Sequence, residues 1–220
     1  GKAGAQKDSA FSLEDRVGLV SDAFTLAQAG YSKTSGGLAL MHALRGDNSS
    51  LVNTAAALNL GKLASVWWEQ PQSVRDAINR FRADVFGPMA RELTFEFGAN
   101  DSSELRELRE TVITAAASAG DTWTLDEIRR RFAPLQEHGD YSLIHPDLLR
   151  TVLSQAVKHG GEAEYETVMG VYRAPPTPAH KTSAMVALGT TQDAALIQRT
   201  IEFVFSGQVK TCLLYTSPSP

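Results

Sequence analysis

Residues 12–30 read SLEDRVGLVSDAFTLAQAG, and this stretch carries the clearest fold signal in the chain. Its apolar residues recur every three or four positions, which places them along one face of an α-helix. They are Leu13, Val17, Val20, Phe24 and Ala27. Ser12 and Asp15 have the spacing of a capping box, and Gly30 stands where a glycine commonly ends a helix. Because the three signals agree, we predict a helix that begins at Leu13 and ends before Gly30.

The same apolar spacing recurs along the whole chain and predicts about ten helices. Short runs that contain glycine, proline or a small polar residue separate them. The Gly87-Pro88 pair is one such run, because proline disrupts the helical hydrogen-bond ladder. It is expected to end a helix near Val85 and to precede a short helix that carries Met89 and Leu93.

Two further capping-box spacings mark predicted helix starts. Asp101 precedes Glu104 by three residues, and Thr124 precedes Glu127 by three. In such a box the first side chain accepts a backbone N–H of the first helical turn. We therefore expect Asp101 and Thr124 to be the N-caps of two successive helices.

Strand signals are nearly absent from the sequence. Only residues 93–97, LTFEF, alternate between apolar and polar, and this segment is short enough to be a helix end or a loop. Each amphipathic helix has an apolar face that only a neighbouring helix can cover. We therefore predict an all-α fold, a HEAT- or armadillo-like α-solenoid of about ten antiparallel helices, truncated at both ends.

Composition excludes several classes of protein. The chain has 220 residues, of which 43% are hydrophobic and 21% charged, and its net charge is -4. A nucleic-acid or anionic-membrane partner is not expected, because no basic field would attract one. No apolar run approaches the roughly 18 residues that a membrane-spanning helix needs. Cys212 is the single cysteine, so an internal disulfide is excluded.

The residues that could carry chemistry form no recognisable constellation. None of the five histidines lies four residues from another, as H-E-x-x-H requires. His138 and His145 are seven residues apart, close to Asp140 and Asp147, and we interpret them as loop or helix-start histidines rather than metal ligands. The other three, interpreted as surface or interhelix residues, are His42, His159 and His180. We predict no catalytic, cofactor-binding or metal-binding residue, Cys212 included.

Three further clusters have ordinary structural interpretations. Trp67-Trp68-Glu69 could form an aromatic platform, but packing at a helix end is the simpler reading. Arg129-Arg130-Arg131 beside Phe132 could contact an anion, but consecutive residues fan around a helix, which favours a solvated face. The alternating charges of residues 104–110 are typical of surface ion pairs.

Eight short segments follow one another in a distinctive order along the chain. They are EDRVGLVSDAF at 14–24, GYSKTSG at 30–36, ASAGD at 117–121, IHPDL at 144–148, GGEAEY at 160–165, KTSAMVALG at 181–189, LIQRT at 196–200 and SGQVK at 206–210. Their order resembles the C-terminal helical domain of the aminopeptidase N-like zinc peptidases. The resemblance is closest to the puromycin-sensitive aminopeptidase branch and its fungal relatives, and it extends from about residue 13 to 210.

The resemblance implies a bowl-like helical domain that closes over a separate thermolysin-like catalytic domain. In that family the helical domain shapes the peptide chamber, whereas the zinc ligands, the general base and the exopeptidase motif lie upstream. The implied partners are therefore an upstream catalytic domain of the same polypeptide and a peptide substrate. Zinc is implied for the parent enzyme and no cofactor for this chain, which alone should be inactive. The branch it resembles implies a cytoplasmic parent.

The expected limits are a flexible or truncated start at 1–12, the helical domain at 13–210 and a non-native tail at 211–220. With such a tail, four apolar residues of the last helix would be partly exposed. They are Ile201, Phe203, Val204 and Phe205. An alternative function remains open at this point, because composition and periodicity fit a stand-alone α-solenoid scaffold that binds a protein or peptide equally well.

Overall fold

The computed structural model describes residues 11–209, and over this range the fold is all-α. It has ten α-helices, one 3₁₀ turn at Pro146–Leu148, and no strand among the residues described. The helices are α1 Leu13–Gln28, α2 Thr34–Ala43, α3 Ser50–Val66, α4 Gln72–Leu93, α5 Ser103–Ser118, α6 Thr122–His138, α7 Leu149–His159, α8 Glu162–Arg173, α9 Pro178–Leu188 and α10 Ala194–Phe205. The all-helical, solenoid-like prediction is confirmed. Cys212 and the expected tail lie outside the described residues.

Contacts between residues divide the chain into two compact units, residues 1–124 and 125–220. The division falls within the first turn of α6. The domain limits expected at residues 13 and 210 stay predictions.

The two ends of α1 form as the sequence predicts. The Ser12 hydroxyl accepts the Asp15 backbone N–H, and the Asp15 carboxylate accepts the Ser12 backbone N–H, both at 3.1 Å. At the other end Gly30 has a φ of 80°. This left-handed conformation favours glycine, and it lets the Tyr31 N–H reach the Leu26 carbonyl at 2.9 Å. Both ends of the helix therefore satisfy backbone groups that would otherwise lack partners.

In the first unit each helix covers the apolar stripe of another. Helix α1 packs on α2 and α3, α3 packs on α5, and α5 packs on α4. Fully buried residues of this core are Val20, Met41, Leu60, Phe86, Val112 and Ile113. A Cβ on Gly37 would lie 3.2 Å from the Phe24 ring, so α2 approaches α1 as closely as a glycine permits.

In the second unit α7, α8 and α9 pack on one another. Helix α10 is joined to α8 by two tyrosines. The Tyr165 and Thr200 hydroxyls hydrogen-bond at 2.8 Å, and the Tyr172 ring meets Phe203 edge-on with centroids 5.1 Å apart. The largest fully buried side chains in this unit are Tyr165, Ile128, Leu148, Leu153, Met169 and Leu188.

The predicted break at Gly87-Pro88 is wrong, because α4 runs unbroken from Gln72 to Leu93. Pro88 removes one backbone donor, but the residues around it are buried and hold the helix together. Gly87 precedes the proline without a Cβ, which relieves part of the steric conflict that a proline imposes on its predecessor. The glycine also makes room for the Asp121 carboxylate, since a Cβ at residue 87 would lie 2.5 Å from Asp121 Oδ1.

The two later N-caps are also displaced from their predicted positions. Helix α5 is capped by Ser102, whose hydroxyl accepts the Leu105 N–H at 3.2 Å, and not by Asp101. Helix α6 begins at Thr122, so Thr124 lies within its first turn rather than before it. The residue that precedes α6, Asp121, accepts both the backbone N–H and the hydroxyl of Thr124, at 3.0 and 2.8 Å.

Asp121 lies between α5 and α6 and is the central polar residue where this connection contacts α4. It is 7% exposed, and its second carboxylate oxygen accepts Arg91 Nη2 of α4 at 2.7 Å. A buried carboxylate is stable only where such partners replace water. The close approach of α4 at Gly87 and the hydrogen bonds of Asp121 therefore depend on each other, because both bring α4 against the same carboxylate.

Of the four apolar residues of α10 that were expected to be partly exposed, three are exposed at least in part. Ile201 and Phe205 are 46% and 81% exposed, and Val204 is partly exposed. The expectation is wrong for Phe203, which is buried because its ring packs against Tyr172.

We predict that Gly87→Ala destabilises the protein by about 1–2 kcal/mol, because the new methyl group would displace a carboxylate held by three hydrogen bonds. Gly61→Ala is the matched control, since Gly61 lies inside α3 with no atom within 4 Å of an added Cβ. That change should stabilise the protein by about 0.5–1 kcal/mol through helix propensity. Urea unfolding of both variants measures the difference, and equal effects would contradict the proposed contact.

Candidate functional site

The two histidines considered as possible metal ligands, His138 and His145, contact single carboxylate or backbone groups. His138 Nε2 lies 3.6 Å from Glu137, and both side chains are largely exposed. The His145 ring precedes the 3₁₀ turn, where its Nδ1 accepts the Asp147 N–H at 3.3 Å, which agrees with the helix-start interpretation. Within residues 11–209 no group of three histidine, cysteine, aspartate or glutamate side chains could hold a metal ion. The described residues therefore do not fit a zinc site.

The tryptophan and arginine clusters differ in part from their predicted structure. Trp67 is half-buried at the end of α3, but Trp68 is 66% exposed, so the packing interpretation is wrong for Trp68. Arg129 and Arg130 form surface ion pairs on α6. Arg131 is instead buried, and its Nη1 donates a hydrogen bond to the Leu143 carbonyl at 3.0 Å.

Arg109 contradicts the surface reading of residues 104–110. Its side chain is 7% exposed, and it donates to Asp101 at 2.8 Å and to the Leu93 carbonyl at 3.0 Å. Its guanidinium also lies over the Phe97 ring, 4.6 Å from the centroid. Arg109 therefore fixes the loop between α4 and α5. The Gly98 N–H, and then Arg109, keep the pKa of Asp101 below its usual value.

A concavity in the second unit lies among α6, α7 and the start of α8. It has a volume of about 220 Å³. Its apolar wall consists of Leu125, Ile128, Phe132 and Ala156. Its polar side chains are Arg129, Gln136, Gln155, His159 and Glu164. This share of polar side chains is larger than in the mostly apolar lining that is usual for a small-molecule site. We refer to this concavity as the α6–α8 cavity.

Gly160 and Glu164, at the α7–α8 junction, both line the α6–α8 cavity. The Glu164 carboxylate accepts the Gly161 N–H at 2.7 Å and Gln136 Nε2 at 3.3 Å. The first bond is the carboxylate half of a capping box, and it lowers the pKa of Glu164. A Cβ on Gly160 would lie 2.5 Å from the Glu164 side chain and 2.6 Å from the Ala156 carbonyl, so only glycine fits there.

Gln155 is the unusual residue of the cavity. It is 8% exposed, and its Oε1 is buried without a hydrogen-bond partner. Leaving a buried polar group unsatisfied costs on the order of 1–3 kcal/mol. Because this oxygen is closed to solvent, a ligand in the cavity could not contact it without a rearrangement of the side chain.

His159 also lines the cavity and is an exposed residue. Partial burial lowers the pKa of its imidazole, and the positive charges of Lys158 and Arg129 lower it further. The ring is therefore largely neutral at neutral pH, and it can donate at one nitrogen and accept at the other.

From the sequence, His159 is predicted to be a surface or interhelix residue and Arg129 part of a solvated face. The other three polar residues of the cavity are not predicted as site residues. One signal was available for Gln155, which follows Val152 by three residues and so falls on the apolar face of α7. A polar side chain on such a face must be either satisfied or functional. The position of Gln136 carried no comparable signal.

Arg82 is a second buried polar residue, in the first unit. It lies on the buried face of α4, is 8% exposed, and donates from Nη1 to Asn79 at 3.0 Å. Its Nε is buried without a partner. Burial lowers the pKa of this arginine, as expected when water is removed from a cation.

Among residues 11–209, every helix is too short or too polar to cross a bilayer.

Comparison with known proteins identifies relatives of the whole chain. A family model described as the ERAP1-like C-terminal domain matches residues 2–217. The alanine/arginine aminopeptidase of Saccharomyces cerevisiae is 31% identical over 199 residues, or 90% of this chain. Aminopeptidase 2, mitochondrial, of the same yeast is 30% identical over 94% of the chain. The puromycin-sensitive aminopeptidase of Caenorhabditis elegans is 22% identical over 87% of the chain.

All three relatives are much longer than the sequence they share with this chain. The match spans 23%, 22% and 20% of their respective lengths.

We predict that Glu164→Ala destabilises the protein by about 1 kcal/mol at pH 7, because Gly161 N–H loses its acceptor. A carboxyl group with a lowered pKa stabilises the folded state above its unfolded pKa, near 4.5, and this contribution is lost as the pH falls through the lower folded value. The difference between variant and wild type should therefore shrink below pH 4.5. Urea unfolding at pH 7 and pH 3 tests this.

Glu162→Ala is the matched control for this prediction, since it removes a carboxylate from the same helical turn without removing the cap. Its effect should stay within about 0.5 kcal/mol. A Glu164→Ala effect no larger than that of Glu162→Ala would show that the cap contributes nothing.

We also predict that Arg82→Met stabilises the protein by about 1–3 kcal/mol, because an apolar side chain of similar length needs no counter-charge. Arg80→Met is the control on the same helix, since Arg80 is exposed. That substitution should change the free energy of unfolding by less than about 0.5 kcal/mol. Destabilisation by Arg82→Met would mean that the guanidinium contributes more in the folded state than its desolvation costs.

Proposed function

Because the chain belongs to the ERAP1-like C-terminal domain family, we propose that it is the C-terminal helical part of a zinc aminopeptidase. The match over residues 2–217, nearly the whole chain, carries this proposal. The relatives that match over most of the chain are themselves named aminopeptidases. The reaction proposed for the parent protein is removal of N-terminal residues from peptides.

The chemistry of the reaction is assigned to an upstream catalytic domain of the same polypeptide. Zinc would there supply Lewis acidity and an activated water. The described residues of this chain offer no set of ligands for the ion. Their proposed role is to form part of the wall around the peptide chamber and to take part in closing it over the substrate.

Two further properties of the parent protein are proposed. The peptide substrate follows from the names of the relatives. A cytoplasmic location follows from the branch that the sequence resembles, although one of the matching yeast proteins is named mitochondrial. The alternative of a stand-alone peptide-binding scaffold has no observation that favours it over the aminopeptidase.

The coding sequence upstream of Gly1 gives a direct test. We expect an H-E-x-x-H motif on a helix, followed downstream by a second glutamate, since this set of residues binds zinc and supplies the general base. An upstream sequence that starts directly before Gly1, or one that has no such motif, would contradict the proposal and favour the scaffold.

Activity measurements test whether catalysis requires the upstream domain. The protein expressed with its upstream segment should hydrolyse an aminoacyl-anilide, and a zinc chelator should abolish turnover. The 220-residue chain alone should give no turnover above buffer. Turnover by this chain that survives purification and resists the chelator would overturn the proposal.

A further inference from the structure

The connection between α8 and α9 places a threonine between two prolines. Residues 173–181 read RAPPTPAHK, and Thr177 stands between Pro176 and Pro178. Thr177 is an exposed residue with extended backbone, at φ -143° and ψ 164°, and α9 begins directly after it. An exposed, extended segment of this kind is accessible to an enzyme that acts on side chains of a protein substrate.

The first turn of α9 is weakly held. Thr177 is its N-cap, but the threonine side chain accepts no backbone N–H of the helix. The hydrogen bond from the Lys181 N–H to the Thr177 carbonyl is 3.3 Å long. Pro178 and Ala179 are exposed, and the first buried residue of α9 is Ser183. This end of the helix can therefore open locally without disturbing the core of the unit, which gives an enzyme further access to the threonine.

The neighbours of the Thr177 hydroxyl would favour a negative charge at this position. The hydroxyl lies 2.8 Å from Nδ1 of His180, whose ring meets Tyr141 edge-on with centroids 4.9 Å apart. Arg173 and Lys181 each lie four residues from Thr177. The surrounding sequence, residues 167–192, contains no aspartate or glutamate. An anionic group on Thr177 would thus lie in a positively charged stretch of sequence, beside a ring that can donate a hydrogen bond.

The residue after the threonine restricts the kind of enzyme. Proline has no backbone N–H, so an apolar pocket can accept it without leaving a donor unsatisfied. Proline-directed protein kinases make this selection, because they modify a serine or threonine that is followed directly by proline. Within residues 11–209, Thr177-Pro178 is the only pair of this kind.

We propose that Thr177 is a phosphorylation site for a proline-directed protein kinase and that the phosphate caps α9. The Thr177 oxygen bonds to the γ-phosphorus of magnesium ATP, the bond from this phosphorus to the bridging oxygen breaks, and ADP leaves. The hydroxyl proton passes to the catalytic aspartate of the kinase. The phosphate oxygens then accept backbone N–H groups of the first turn, which has no capping side chain. This proposal is independent of the aminopeptidase function.

Treatment of the 220-residue chain with magnesium ATP and a purified proline-directed kinase tests the site. Trypsin releases residues 174–181, APPTPAHK, in which Thr177 is the only residue with a hydroxyl group. A phosphoryl group found on this fragment by mass spectrometry therefore identifies Thr177. An unmodified fragment would overturn the proposal, and a synthetic peptide of residues 170–185 would show whether the fold or the sequence is the reason.

Two proline substitutions separate recognition of the threonine-proline pair from simple exposure. Pro178→Ala should slow phosphorylation of Thr177 at least about tenfold, because the kinase pocket loses the residue that it selects. Pro176→Ala is the matched control, since it removes an exposed proline from the other side of the threonine and leaves the pair intact. Its rate should equal that of the wild type, and equal losses in both variants would contradict the proposed recognition.

Urea unfolding of the phosphorylated chain tests the cap. Ser217 and Ser219 also precede prolines, so both are replaced by alanine to confine the phosphate to Thr177. Relative to the same variant without phosphate, the equilibrium constant for folding should rise about two- to fivefold, the usual effect of an anion at a helix N-terminus. An unchanged or lower constant would overturn the capping role.

Discussion

The fold depends on one constraint, which is that no helix of this chain can bury its own apolar stripe. Helix α1 shows this most simply, since Val20 and Phe24 become buried only where α2 and α3 cover them. The same dependence links α3 to α5 and α5 to α4. Short connections make each helix available to its neighbours in sequence, so a stack of helices results without a repeated sequence. Hydrophobic burial supplies the driving force, and caps and glycines decide where each helix begins and ends.

Much of this fold could be predicted from the sequence because its signals are local. Ser12, Asp15 and Gly30 act within one helical turn of the ends of α1, and their geometry follows from spacing alone. The errors occur where tertiary contacts override a local signal. Proline at residue 88 predicts a break, but burial of α4 on both sides of it stabilises a continuous helix. Asp101 has the spacing of an N-cap, but its carboxylate pairs with Arg109, and Ser102 caps α5 instead.

The candidate site was far less predictable than the fold. Its polar groups come from three helices, and no spacing in the sequence indicates that Gln136 reaches Glu164 across 28 positions. Gln155 could have been suspected from its place on an apolar face, but whether its carboxamide finds a partner depends on packing. The family relationship supports the proposed function instead, through similarity spread over most of the chain rather than through a reactive cluster.

The junction around Asp121 has an evolutionary consequence. Gly87 provides the space, Arg91 the counter-charge and Thr124 two donors, so the aspartate is compatible with its surroundings only while all three are present. Replacing any one of them first would leave either a steric overlap or a carboxylate stranded in the interior. Drift at these four positions should therefore be coordinated across homologous sequences, with the glycine and the aspartate changing together or not at all.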